Sequence, residues 1–387
     1  MTLGQGDQIW ERFGHNFLAI EQPGGDALAY NWGVFDFAAP DFLTRFLIGD
    51  TRYWMEANRL SDVIRVYQQY NRDITLQRLA LTPAQADTLV RFLEWNARPE
   101  NRYYRYDYFR DNCSTRLRDA LDLALGGALR AATEPRITNL TYRSETLRLT
   151  DEAPASRFGI DIALGQPADR LLSAWESMFV PMRVQQYVRD IEVPGDDGVM
   201  GPLVTEERVV FTAKRAPERT RAASMAGELT VAGLLIAGLI VLFGNLALRR
   251  GSQAAGNTAA AIGAAWGGLT GIVGIVLVLA WVATQHAFWY RNENLFHFNP
   301  LAIALAVLLP LALRRPRWWT ATRAVAFGVA GLSLAGAVLK LFPWMMQSNW
   351  GLIMLALPVN LAVAWVVSRF SNRAYQAPAV VTVPPSW

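Results

Sequence analysis

Only one cysteine, Cys113, and three histidines, His15, His286 and His297, occur in 387 residues. A single thiol excludes an intramolecular disulfide, so cysteine usage leaves the redox compartment open. Four such dispersed ligands form no metal-binding spacing, so neither a metal nor a cofactor is expected. Long basic runs are lacking too, and a net charge of +4 is small for this length, which argues against a nucleic-acid partner. Met1–Asp7 has neither the basic start nor the apolar core of a secretory signal. Because domain-like sequence begins at once, a leader that is missing or removed is expected before it.

What is present divides in two. Residues 1–221 read as an α+β soluble domain with charges, turns and scattered aromatics, and residues 222–387 as an all-α domain rich in Ala, Leu, Val, Ile and Gly. Five apolar stretches, near 229–248, 262–284, 299–313, 324–342 and 350–368, approach the roughly 20 residues that span a bilayer. Arg249, Arg250, Arg314, Arg315, Arg317, Arg323, Arg369 and Arg373 all fall on the side opposite the soluble domain. The positive-inside rule therefore sets that domain outside the cytoplasm and the C-terminus inside; the basic linker Lys214–Arg221 points the other way but flanks a large translocated domain. The loops on the soluble domain's side carry Asn292, Asn294, His297, Gln347 and Asn349. Aromatic anchoring explains their tryptophans but not these polar groups, which are candidate substrate contacts forming a polar roof opposite Cys113.

In the soluble half, Phe17–Ile20 and Ala27–Tyr30 read as strands joined by the turn Pro23-Gly-Gly-Asp26. A helix is expected near Asp41–Ile48 and strand-prone sequence near Asp62–Tyr70. Thr82-Pro-Ala-Gln85 is a capping box. A helix through Leu171, Leu172, Trp175 and Met178 is expected to stop at Phe179-Val-Pro181, and Asp196-Asp-Gly reads as a turn. Leu203–Thr212 reads as a final strand.

The chemistry concentrates in Tyr106-Asp-Tyr-Phe-Arg-Asp-Asn-Cys-Ser-Thr-Arg116. Asp111 and Asn112 are good N-caps, Leu117, Leu121 and Leu125 repeat every four residues, and Gly126-Gly127 ends the helix. Cys113 then lies in the first turn, where unpaired N–H groups and the dipole favour a thiolate. A thiol nucleophile needs a base, and His15 is the single histidine of the soluble half. A third group comes from the second hairpin strand, Asn31 or alternatively Asp36, depending on register. Tyr104 and Tyr106 belong either to a half-buried strand or to the lining of a substrate groove, with Asn112 and Arg116 as neighbouring candidate contacts.

The order His before Cys, with Asn-Cys at a helix start, resembles the circularly permuted papain-like fold of NlpC-related enzymes. Gly6-Asp-Gln-Ile-Trp-Glu-Arg-Phe-Gly-His15, Tyr30-Asn-Trp-Gly-Val-Phe-Asp-Phe37 and Asp111-Asn-Cys-Ser-Thr-Arg116 are, more specifically, similar to the Lnb family of bacterial lipoprotein N-acyltransferases. The resemblance implies a thiol acyltransferase of the cytoplasmic (inner) membrane, with its soluble domain on the periplasmic side. Its acceptor would be a diacylglyceryl lipoprotein, and its donor an acyl chain of a phospholipid or of the lipoprotein. The same residues also suit a cysteine hydrolase acting on phospholipid, thioester or peptidoglycan, and a non-enzymatic lipid- or peptide-binding protein remains a third reading.

Overall fold

The computed structural model describes residues 1–22, 24–25, 27–195 and 198–376. They form two compact units, one of Met1–Asp161 and Ala168–Ala223, the other of Ile162–Pro167 with the chain from Ser224 onward.

The first unit opens with strands β1 (Thr2–Leu3), β2 (His15–Asn16), β3 (Leu18–Glu21) and β4 (Ala27–Val34). Helix α1 (Phe42–Ile48), β5 (Arg52–Arg59), α2 (Leu60–Gln69), β6 (Ile74–Leu79), α3 (Pro83–Ala97), β7 (Tyr103–Arg105) and α4 (Cys113–Ala124) follow. Short helices α5 (Ala128–Thr133), α6 (Tyr142–Leu149), α7 (Pro154–Ala163), α8 (Ala174–Ser177) and α9 (Pro181–Asp190) lead to strands β8 (Glu192–Pro194), β9 (Met200–Pro202) and β10 (Val204–Phe211). Two four-stranded sheets, ordered β10-β6-β1-β2 and β3-β4-β5-β7, are joined by the run His15–Glu21, which ends one and begins the other. The expected hairpin forms with Leu18 opposite Tyr30; Pro23 and Asp26 of its turn lie outside the described residues. Tyr30, Trp32, Tyr53 and Met55 alternate inward from β4 and β5 into one core with Leu117 and Leu121 of α4 and Leu125 just after it. The β4–β5 register shifts between Trp32 and Val34, where Gly33 takes φ +95°.

Two segments differ from expectation. Residues 62–69 are helical, because Val63, Ile64 and Tyr67 form a helical face on a small core of Leu3, Phe17, Ala29 and Ile74. That burial outweighs the strand preference of the β-branched residues. The helix expected from Leu171 shrinks to α8: the Leu172 carbonyl accepts from Thr138 N–H at 2.8 Å, and its N–H donates to the Leu140 carbonyl at 2.9 Å. Pro181 starts α9 instead of ending a helix, since proline fits a first turn that needs no N–H there. Trp175, Met178 and Phe179 are buried core. The turn Asp196-Asp lies outside the described residues.

The second unit holds α10 (Ala226–Arg250), α11 (Gln253–Ala283), α12 (Ile303–Arg314), α13 (Trp319–Leu339) and α14 (Trp350–Gln376). Five segments are long and apolar enough to cross a membrane, and 3-10 turns from Glu293 onward lengthen the third, which is short by sequence alone. Ile162–Pro167 is lodged here. Asn292 Nδ2 donates to the Ile162 and Ala163 carbonyls at 2.8 and 2.9 Å, and Asn294 Nδ2 to Ile162 at 3.0 Å. Gln347 Nε2 donates to the Leu164 carbonyl at 3.1 Å, while Gly165 N–H donates to Phe288 at 2.7 Å. A buried Lys340–Glu293 ion pair of 2.8 Å braces the loops that make these contacts. In the first unit, Arg143 clamps both ends of the excursion, 2.6 Å from Asp161 Oδ1 and 2.9 Å from Asp169 Oδ1.

Candidate active site

Helix α4 begins with a complete capping box. Asn112 Oδ1 accepts from Thr115 N–H at 2.9 Å, and Thr115 Oγ1 accepts from Asn112 N–H at 2.8 Å. The Asn112 amide also donates to the Tyr108 and Phe179 carbonyls, both at 3.0 Å, so this side chain fixes the loop before Cys113. The next residue, Ser114, donates to Asn16 Oδ1 at 2.6 Å, and Asn16 Nδ2 donates to Thr2 Oγ1 at 3.0 Å. All three are buried, which fixes the first turn of α4 to the strand that carries His15.

Thiol and imidazole meet at the bulge. A Cβ on Gly33 would lie 3.3 Å from Cys113 Cβ and 3.5 Å from His15 Cε1. Asn31 Oδ1 lies 2.6 Å from His15 Nε2. A carboxamide oxygen only accepts, so Nε2 carries the proton and Nδ1 is left as the basic lone pair. Asp36 lies elsewhere: it is exposed and accepts from Ala38 N–H at 2.8 Å.

Burial lowers His15 to about 4; the bond to Asn31 opposes this and the charge of Arg72 adds to it. Burial likewise raises Cys113 to about 11, against the pull of Ser114, the Asn16 backbone N–H and Arg72. Desolvation thus opposes the thiolate that the helix terminus and its donors favour. Arg72 is 4% exposed. Its Nε donates to the Gly4 carbonyl at 2.9 Å, its guanidinium lies 4.8 Å over the Tyr67 ring, and Nη2 has no hydrogen-bond partner among the described residues.

Tyr53, Tyr104 and Tyr106 belong to the core against which Cys113 packs. Tyr106 stacks on Tyr53 at 4.1 Å, and Tyr104 lies under the Arg116 guanidinium at 4.3 Å, its buried hydroxyl without a partner among the described residues. Arg116 itself is held by both oxygens of Asp111. In the second unit, Asn292, Asn294 and Gln347 are committed to the lodged segment, Asn349 donates to Asn294 at 2.8 Å, and His297 Nδ1 meets Ser333 Oγ at 2.8 Å.

Residues 1–149 match the family model of the Lnb N-terminal periplasmic domain, and residues 230–339 that of the Lnb transmembrane domain. The chain belongs to the Lnb family. No curated protein and no solved structure matches it. Cys113, His15, Asn31 and Arg72 fall inside the match to the Lnb periplasmic domain, whereas residues 150–229 lie between the two matches. A periplasmic domain followed by five apolar helices makes this Lnb protein one of the inner membrane.

Sequence reasoning missed four residues of the site. Gly33 carried a signal, an isolated glycine within a strand pattern. Asn16 and Ser114 sit beside the two singled-out residues, but their bond spans 98 positions and needs the fold to become visible. Arg72 carried none.

Proposed function

We propose that the protein is a membrane-bound thiol acyltransferase that N-acylates the lipidated N-terminal cysteine of lipoproteins. Cys113 is the nucleophile, His15 the base and Asn31 its orienting partner, in a permuted papain-like domain of residues 1–221 on the periplasmic side. Residues 222–387 form the membrane anchor, with the C-terminus in the cytoplasm. The single observation that carries this reading is the convergence of Cys113 and His15 at Gly33, with Asn31 fixing the imidazole tautomer.

The chemistry runs in two halves. Cys113 Sγ attacks the carbonyl carbon of a fatty-acyl ester while its proton moves to His15 Nδ1. The oxyanion forms beside the N–H groups at the start of α4. The ester C–O bond breaks, His15 returns the proton to the departing alcohol oxygen, and a thioester remains on Cys113. The α-amine of the acceptor cysteine then attacks the thioester carbon, its proton passes through His15 to the departing sulfur, and an amide results. A neutral pair suits this sequence, because the thiol loses its proton only as the carbon is attacked. A membrane-anchored chain also keeps donor and acceptor in one bilayer.

The deciding experiment is mass spectrometry of lipoprotein N-terminal peptides from cells with and without this protein. Loss of α-amine acylation is expected without it; an unchanged acylation state would sink the transferase reading. A hydroxylamine-sensitive acyl group on Cys113 together with unchanged lipoproteins would point instead to a hydrolase.

A further inference from the structure

Helices α10, α12 and α14 end, and α11 and α13 begin, at one end of the second unit, and eight arginines gather there. Beyond Glu228, which opens α10 at the other end, the sole side-chain carboxylate of the sequence is Glu293, paired with Lys340. No acidic side chain of this unit therefore neutralises the arginines. They are not all alike. Arg373 Nη1 donates to the Ala247 and Leu248 carbonyls at 3.2 and 3.1 Å, tying the end of α14 to that of α10. Arg323 Nη1 donates to Asn372 Oδ1 at 3.4 Å. Arg314, Arg315 and Arg317 are exposed, and among the described residues their guanidinium groups have neither a hydrogen-bond nor an ion-pair partner. Pro316 brings these three together. It ends α12 and holds Arg315 in an extended conformation, φ −140° and ψ 103°. The chain then enters α13 through the 3-10 turn Pro316–Trp318. On a continuous α-helix residues 314, 315 and 317 would point in three directions. Here they and Pro316 line one recess of about 370 Å³, within the range of small-ligand sites.

We propose that the Arg314–Arg317 recess is a binding site for the phosphodiester headgroup of an anionic phospholipid, in the leaflet that this end of the second unit faces. The inference goes beyond the acyltransferase reading and does not depend on it. Three guanidinium groups without a protein partner call for an anion, and their planar N–H forks match phosphate oxygens. The recess joins two membrane-crossing segments, Glu293–Arg314 and Pro316–Leu339, so its occupant sits where a bilayer presents its headgroups. Apolar side chains exposed further along those segments, Val307 and Phe327 among them, suit the acyl chains of the same molecule. A headgroup therefore fits the place as well as the charge. Arg249 and Arg250, on the last turn of α10, lie outside the recess and supply an internal comparison.

The test uses the full chain in phosphatidylcholine nanodiscs doped with a phosphatidylglycerol analogue that carries a diazirine on its headgroup. A phosphatidylcholine analogue carrying the same group is the control. Irradiation is expected to label peptides covering residues 311–319 about tenfold more from the phosphatidylglycerol analogue, as two arginines at an anionic surface suffice to give. Equal labelling by the two analogues would overturn the proposal. So would loss of the label to added inorganic phosphate but not to chloride at equal ionic strength, which would make the recess a site for a free anion. Two double variants then separate a site from diffuse charge, since Arg315→Gln, Arg317→Gln and Arg249→Gln, Arg250→Gln remove the same charge from the same end. The first pair is expected to lower the label to the level of the control analogue, and the second to leave at least half of it. Equal losses would reduce the recess to the general attraction of a basic end for anionic lipid, and no loss from the first pair would be equally fatal. The labelling of the native chain needs no variant, so a folding defect in one leaves the test standing.

Discussion

At the residue scale the site is defined by what burial does to two titrating groups. Burial raises Cys113 to about 11 and lowers His15 to about 4, and so favours the neutral pair between those values. As the proposed base, His15 would work only when neutral. Its depressed value keeps it competent as pH falls through the ordinary histidine range, and competence is lost only as pH approaches about 4. Acyl-enzyme formation should therefore show no inflection near pH 6.5, the unperturbed value. Arg72 lowers both groups, so Arg72→Gln should raise both. The acid limb of the rate profile then moves up, and alkylation of Cys113 by iodoacetamide requires a higher pH. Arg72→Lys should partly restore both limbs, whereas an effect on folding alone would move neither. His15→Gln is expected to slow Cys113 acylation by about 10²- to 10⁴-fold, the usual contribution of a general base. Asn31→Asp should retain more activity than Asn31→Ala but shift the acid limb upward, because a carboxylate favours the imidazolium. Trapped thioester measured against pH by mass spectrometry reads all of these.

At the element scale three pieces of chain converge: the start of α4, strand β2 and the bulge in β4. Gly33 lies against both Cys113 and His15. At φ +95° any other residue is strained, by about 1–3 kcal/mol. A methyl group there would also crowd Cys113, 3.3 Å from its Cβ, and touch His15 at 3.5 Å. Gly33→Ala should thus lower the melting temperature and remove most acylation, with thioester yield falling further than the loss of folded protein accounts for. The same elements show what a sequence discloses. The hairpin, the Thr82 capping box, α1 and the Asn112–Cys113 helix start were legible because turns, caps and stripes are local signals. Helix α2 was not, since its face is defined by Phe17 and Ile74, which arrive from distant strands. The choice of Asn31 over Asp36 needed the register, and the role of Arg72 needed the whole first unit. Arg72 is one of many arginines until Gly4 and Tyr67 fold around it.

At the scale of the whole molecule, the five apolar stretches were the plainest feature of the sequence, since crossing a bilayer demands a length and composition that soluble helices lack. Their polar loops were not so readily interpreted: they read as substrate contacts, and the structure commits Asn292, Asn294 and Gln347 to the carbonyls of Ile162, Ala163 and Leu164. Beneath them, Glu293 and Lys340 are 6% and 5% exposed. Removing one partner of a buried pair leaves an uncompensated charge and costs about 3–5 kcal/mol. Lys340→Met or Glu293→Leu alone should therefore lower the unfolding temperature in detergent markedly. The double replacement should recover much of that loss, and a fluorescence melt of the three variants against the native chain checks both.

The lodged segment Ile162–Pro167 also constrains how such proteins can recombine. A Cβ on Gly165 would sit 2.1 Å from the Tyr290 carbonyl, so even one methyl group would displace the loop that receives it. Six residues encoded within the first half of the chain are thus fitted, atom by atom, to loops encoded more than a hundred residues later. Halves taken from two different relatives and joined after Ala223 would separate that fitted pair. A working hybrid would need its crossover to carry 162–167 along with the helices.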